Sequence, residues 1–180
     1  MSRIRFATIR ALSESFPEAL ENIGAEPTDE SPIAFLNRHA AAGKPDQAIE
    51  VCAYLLPRRE AVWWGCASAR TLLGGRLQGD TAGLVAAEAW VQEPSEENRQ
   101  RALDVGTNAA SNEPLTWLAL AAGWSSGTFP PTPFPVPPYM TSRAVRISLL
   151  IGMRQANHVE RPKLLQSCLD EGIRLAETGS

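Results

Sequence analysis

The chain has 180 residues, 44% of them apolar and 21% charged, with a formal net charge of -3 and a pI near 5.5. This composition fits one globular domain with a substantial core. The acidic balance excludes a general nucleic-acid binder, which needs clustered Lys and Arg to neutralise phosphates.

The first thirty residues carry six acids between Glu14 and Glu30, with Gly24, Pro27 and few large apolar groups after Ile23. They read as a short helix and an acidic, mobile connector, so the packed domain is expected to span 31–180. Ser31-Pro32 opens the first core helix: the serine oxygen can accept an orphan amide, and proline at the first helical position loses no hydrogen bond. That helix runs to about Ala42, before Gly43. Pro45 opens a second, with Ala48, Val51, Cys52 and Leu55 on one face. Pro57 begins a third, apolar over so much of its circumference that a central place is expected. Asp80 is read as the cap of a fourth helix bearing Leu84, Val85, Trp90 and Val91. Pro94-Ser95 opens a charged surface helix. Pro114 opens a sixth whose Leu115, Trp117, Leu118, Leu120, Ala121 and Trp124 leave almost no polar face. Thr141-Ser142 is read as the cap of a seventh running to about Asn157, and Pro162 opens the last.

No sustained period near 34 or 40 residues supports a helical-repeat array, and alternating strand patterns are essentially absent. The expected fold is therefore an all-α, compact, irregular bundle of about seven or eight helices. The third and sixth helices resemble each other: each starts at proline, brings tryptophan into its first turns and then supplies small residues that let helices approach closely.

Phe129 to Tyr139, FPPTPFPVPPY, holds six of the fourteen prolines and is expected to be an extended segment. Pro130-x-x-Pro133 and Pro135-x-x-Pro138 suit a polyproline II helix, a preformed ligand for aromatic grooves. The same segment can instead strap the protein's own helices with Phe129, Phe134, Val136 and Tyr139, which are unfavourable to leave wet. Trp63 and Trp64 lie about 100° apart on their helix, so one of them can reach the surface beside Arg58 and Arg59, a composition typical of binding hot spots, whereas a central helix enclosed on both sides would bury both. Arg143, Arg146 and Arg154 fall within about 80° on a helical wheel, a stripe that suits either solvent or an acidic partner.

Signals for chemistry are weak. Gly123 to Gly127 matches G-x-S-x-G around Ser125, but a nucleophile elbow needs a strand before it; a helix precedes this one. His39 and His158 lack an accompanying carboxylate or thiol at motif spacing, Glu96-Glu97 reads as a solvated helix start, and Gly74, Gly75 and Gly79 lack a phosphate-loop pattern. Cys52, Cys66 and Cys168 read as buried thiols without disulfide or metal-ligand spacing. The N-terminus has no signal-peptide core, and no window approaches the roughly 20 apolar residues of a membrane span. A cytoplasmic protein is expected, with no cofactor and no membrane insertion.

Three stretches, Leu56 to Arg70 (LPRREAVWWGCASAR), Ala87 to Asn98 (AEAWVQEPSEEN) and Pro114 to Trp124 (PLTWLALAAGW) with the proline segment after it, resemble an uncharacterised, all-helical bacterial family encoded near type VI secretion components. The resemblance covers roughly residues 30 to 155. It implies a cytosolic accessory or adaptor role and carries over no active-site residues. The expectation is thus a non-enzymatic module with a protein partner, using Arg58, Arg59, Trp63, Trp64, Pro130, Pro133, Phe134, Pro135, Pro138, Arg143, Arg146 and Arg154. The alternatives are a hydrolase using Ser125 with His158, or a bundle binding a small ligand between the two tryptophan-bearing helices.

Overall fold

Prolines and short polar caps start most of the helices where the sequence places them. In the computed structural model, which describes residues 4–77, 81–129 and 132–178, Ser31 accepts the Ala34 amide at 3.3 Å and Ser95 that of Asn98 at 3.3 Å, each filling one orphan donor of a helix start. Ten α-helices result: α1 (Ile9–Ser15), α2 (Glu18–Glu21), α3 (Pro32–Ala41), α4 (Pro45–Leu55), α5 (Arg58–Leu73), α6 (Ala82–Gln92), α7 (Glu96–Asn108), α8 (Pro114–Gly123), α9 (Met140–Gln155) and α10 (Arg161–Thr178). The fold is all-α and compact, with no strand among the described residues. Eight of the ten are the helices read from Ser31 onward.

Helix α5 is central, packed on α4, α6, α8, α9 and α10. Its partners fix the directions of the bundle. Gly65 faces Val145 while Leu72 faces Gly152, so α9 runs parallel to α5. Arg59 reaches Val91 and Arg70 reaches Glu88, so α6 runs antiparallel, as does α10, with Cys168 beside Ser68 and Gly172 beside Trp64. Helix α8, packed on α5, α6, α7 and α9, is the second inner element. At Gly123 an added Cβ would stand 2.7 Å from the Leu103 Cα, so α7 and α8 meet backbone to backbone there. The starts of α5, α7 and α9 and the ends of α6 and α8 therefore gather at one end of the bundle.

Three local readings change. The acidic N-terminal part is not separate from the packing: Ile9, Leu12, Phe16, Ala19 and Leu20 are buried in the same core as α4 and α5. Helix α4 is enclosed beyond one face, because Ile49, Ala53 and Tyr54 are also fully buried beneath α2, α3, α9 and α10. Thr141 and Ser142 are buried inside α9 and do not cap it; the Thr141 hydroxyl donates to the Ala121 and Trp124 carbonyls at 3.2 and 3.3 Å, tying α9 to the end of α8. Asp80, expected to cap α6, lies outside the described residues, and Thr81 precedes that helix without a side-chain cap bond.

Candidate functional site

The proline segment is positioned from below by one buried cation. Arg99, on the first turns of α7, is only 8% exposed at its side chain. Its guanidinium donates to the Gly123 carbonyl at 2.7 Å and to both oxygens of Glu96 at 2.7 and 2.5 Å. This ion pair holds the Glu96 carboxyl below the usual carboxylate range. Above the guanidinium passes Gly127, with φ +84° and its hypothetical Cβ 3.3 Å from Arg99 Cζ, a left-handed conformation that suits glycine.

From Gly127 the chain folds back on itself. The Val136 amide donates to the Gly127 carbonyl at 3.0 Å, the Phe129 amide to Phe134 at 2.9 Å and the Thr132 amide to Phe129 at 2.7 Å, with a bridge between Thr128 and Pro135. These bonds make a narrow hairpin where a continuous polyproline II helix was one expectation. The prolines that cannot donate leave the amides of Phe129, Thr132 and Val136 to close it. Phe129 turns inward and stacks on Trp124 with centroids 5.3 Å apart, and Trp124 meets Trp117 edge-on at 6.2 Å. Phe134 turns outward and is 69% exposed. Pro133, Pro135 and Pro138 are exposed beside it, while Pro130 lies outside the described residues. The strap is realised on the inner side of the hairpin through Phe129, while Phe134 and its neighbouring prolines stay exposed on the outer side.

A second surface lies along α5 between α6 and α10. Trp63 forms part of its floor, half-buried, with Ala67 and Thr71 at successive helical turns; Val91 and Gln92 stand on one wall and Leu175 on the other. Arg59 closes one end, donating to the Val91 and Gln92 carbonyls at 2.7 and 3.4 Å, the orphan carbonyls at the end of α6. Further along, Arg70 and Glu88 are paired at 2.8 Å. Trp64, expected beside Trp63 on a binding surface, has no exposed surface and donates to the Cys168 carbonyl at 2.8 Å, so it belongs to the core. Arg58 is half-buried and lies near Arg5, whose pKa burial and the Arg58 charge lower.

The arginine stripe on α9 is largely spent inside the molecule. Arg146 pairs with Glu50 of α4 at 2.6 Å, with both side chains mostly buried. Arg143 lies over the Tyr139 ring at 4.4 Å and 3.6 Å from Glu18 of α2. Arg154 is exposed near the end of the helix. Sequence spacing identified the stripe but not the acids opposite it, which come from α2 and α4.

The hydrolase arrangement is not assembled. Ser125 is buried, its amide bonded to Ala122 at 3.1 Å in the turn ending α8. That turn packs beside the start of α9 through Thr141, whereas exposed His158 follows the end of that helix, about 24 Å away at 1.5 Å per residue. His39 is buried, stacked on Phe35 and bonded to its carbonyl at 3.1 Å. Between α5 and α8 there is no ligand space at Gly65, where a Cβ would already stand 2.8 Å from Leu118. A cleft of about 580 Å³ opens at the opposite end of the bundle, lined by Leu73, Arg76, Val105, Leu115 and Gln155 among others. No group of three metal-ligating side chains occurs among the described residues, and no described helix is long and apolar enough to cross a membrane. Sequence reasoning missed Arg99: a basic residue in a charged helix start reads as solvated, and only the position of Gly123 turns it inward.

Comparison with known families finds a match to DUF6931, described as a family of unknown function, over residues 35–176. No curated protein and no solved structure matches the chain.

Proposed function

The chain belongs to the DUF6931 family, and on that premise we propose that it is a non-enzymatic protein-interaction module that binds a partner protein through the Phe134 hairpin, with the Trp63 groove as a second contact. The observation that carries this is the division of the hairpin. Phe129 is stacked on Trp124, yet Phe134, five residues on, is held 69% exposed on backbone that is already hydrogen-bonded. A preformed loop with one exposed aromatic loses little entropy on binding and supplies the kind of anchor that dominates interface energies. The half-buried Trp63, with Arg59 immobilised beside it, has the same character.

An accessory role in type VI secretion is the finer form of this proposal, and it rests on the sequence resemblance. The test is affinity capture from bacterial lysate with wild-type bait, Phe134→Ser and Trp63→Ala, identified by mass spectrometry, with thermal melting of each bait. Loss of a captured protein with Phe134→Ser at unchanged melting temperature is the expected result. Capture indifferent to both substitutions overturns the interface. The absence of secretion components among the captured proteins removes the type VI setting alone.

A further inference from the structure

The match to the family starts at residue 35, but the core of this chain does not. Ile9, Leu12, Phe16 and Leu20, spaced three to four residues apart as on one helical stripe, are 0–3% exposed. Phe16 meets Tyr54 of α4 at 6.0 Å between ring centroids, and Phe6 closes over Phe16 at 5.7 Å. We infer that the face formed by α4 and the start of α9 is a helix-docking site of the family domain, and that residues 4–30 occupy it as a displaceable internal ligand.

Three observations support displacement. First, apart from the Glu30–Arg38 ion pair at 2.5 Å where it joins α3, the segment is organised mainly by bonds within itself: Ile9 N–H to Glu30, Arg10 N–H to Thr28, and Arg10 to Asp29 at 2.7 Å. Its backbone is tied to α4 by Arg5 N–H to Leu55 at 3.3 Å. Second, α1 and α2 have seven and four residues, too short to be helical alone in water, so their order depends on docking. Third, the polar part of the joint is poorly made. Glu18 Oε1 is buried and approaches Arg143 only to 3.6 Å, and the Tyr54 hydroxyl is buried beside both groups, short of good hydrogen-bond geometry with either. Native cores rarely leave such atoms unsatisfied.

The displacing partner follows from the same contacts. It is an amphipathic helix with large apolar residues at three- to four-residue spacing and a carboxylate seated between Tyr54 and Arg143, where it can bond both. Arg146 is already neutralised by Glu50 at 2.6 Å, which leaves Arg143 to select for the acid. This inference is independent of the Phe134 hairpin, which lies in a different segment.

Native hydrogen exchange on the full chain, read by mass spectrometry, is the first test. The amides of α1 and α2 are expected to exchange together in a sub-global opening, about a hundredfold faster than those of α4 and α5. The second test titrates a fluorescent synthetic peptide of residues 4–30 into the full chain. Binding is expected to be saturable and about tenfold tighter for a folded Phe16→Ala or Glu18→Gln chain than for wild type, because a weakened internal ligand competes less. Equal protection of α1, α2 and α5 overturns the inference. So does peptide binding that is absent from, or equal in, wild type and both variants.

Discussion

Replacing Arg99 by Met isolates the clamp beneath the proline hairpin. Met keeps an unbranched stem and adapts to irregular space, so the main loss is the charged donor on Gly123 at 2.7 Å, worth about 1.5–3 kcal/mol. The Glu96 pair adds little, since that side chain is 74% exposed and solvent screens it to roughly 0.5 kcal/mol or less. Relief of the buried guanidinium's desolvation offsets part of the loss, leaving a net cost of about 1–2 kcal/mol. For a chain of this size the melting temperature should fall roughly 2–4 °C per kcal/mol, read by calorimetry. The Phe129 and Val136 amides, which close the hairpin, should lose exchange protection while α4 and α5 keep theirs. An unchanged melting temperature with unchanged protection at both amides would refute the clamp. The same pair sets a weak acid dependence. Glu96 is depressed in the folded state, chiefly by its hydrogen bond to Arg99; its contribution is full above the unfolded carboxylate value and disappears as pH falls through the lower folded one. Because Glu96 is so exposed, acidification through that window should loosen the hairpin less than Arg99→Met does.

Two further predictions test the packing. Gly83→Ala sets helix propensity, which favours Ala by about 0.8–1.0 kcal/mol, against the Leu115 backbone: the new Cβ would lie inside contact distance of its carbonyl oxygen and 2.7 Å from the carbonyl carbon. Backbone cannot rotate away, so overpacking of about 1–3 kcal/mol should win and lower the melting temperature, whereas Gly75→Ala, with nothing within 4 Å, should not. The three thiols are buried, and burial pushes Cys52 up to about 12, Cys168 up to about 11 and Cys66 higher than its ordinary value. Thiolate is the reactive form, so a chromogenic disulfide reagent at neutral pH should label the native chain only as fast as it unfolds; rapid labelling at low denaturant would show that these cysteines are accessible.

The helix starts at Ser31-Pro32, Pro45, Ser95 and Pro114 were readable because caps and prolines act through atoms a few residues away. The central places of α5 and α8 were readable too, since a helix apolar around its circumference has to be enclosed. The role of the first thirty residues was misread by weighting their acids. The stripe Ile9, Leu12, Phe16, Leu20 was present in the sequence, but Tyr54, on which Phe16 packs, lies across the fold and no local signal couples them.

What the sequence by itself determined is the eight helices from Ser31 onward, most of their starts, and the central places of α5 and α8, because these depend on spacing and backbone chemistry within a few turns. It placed Trp63 and Trp64 about 100° apart on their helix without deciding whether either reaches the surface. Only the tertiary structure decided that Trp63 is the outer one, that Arg143 and Arg146 face Glu18 and Glu50, and that Arg99 lies under Gly127 with Phe134 turned out. Each of those outcomes depends on which element arrives from far along the chain to face a given side chain. Burial and charge pairing are properties of that meeting, and spacing within one helix does not encode them.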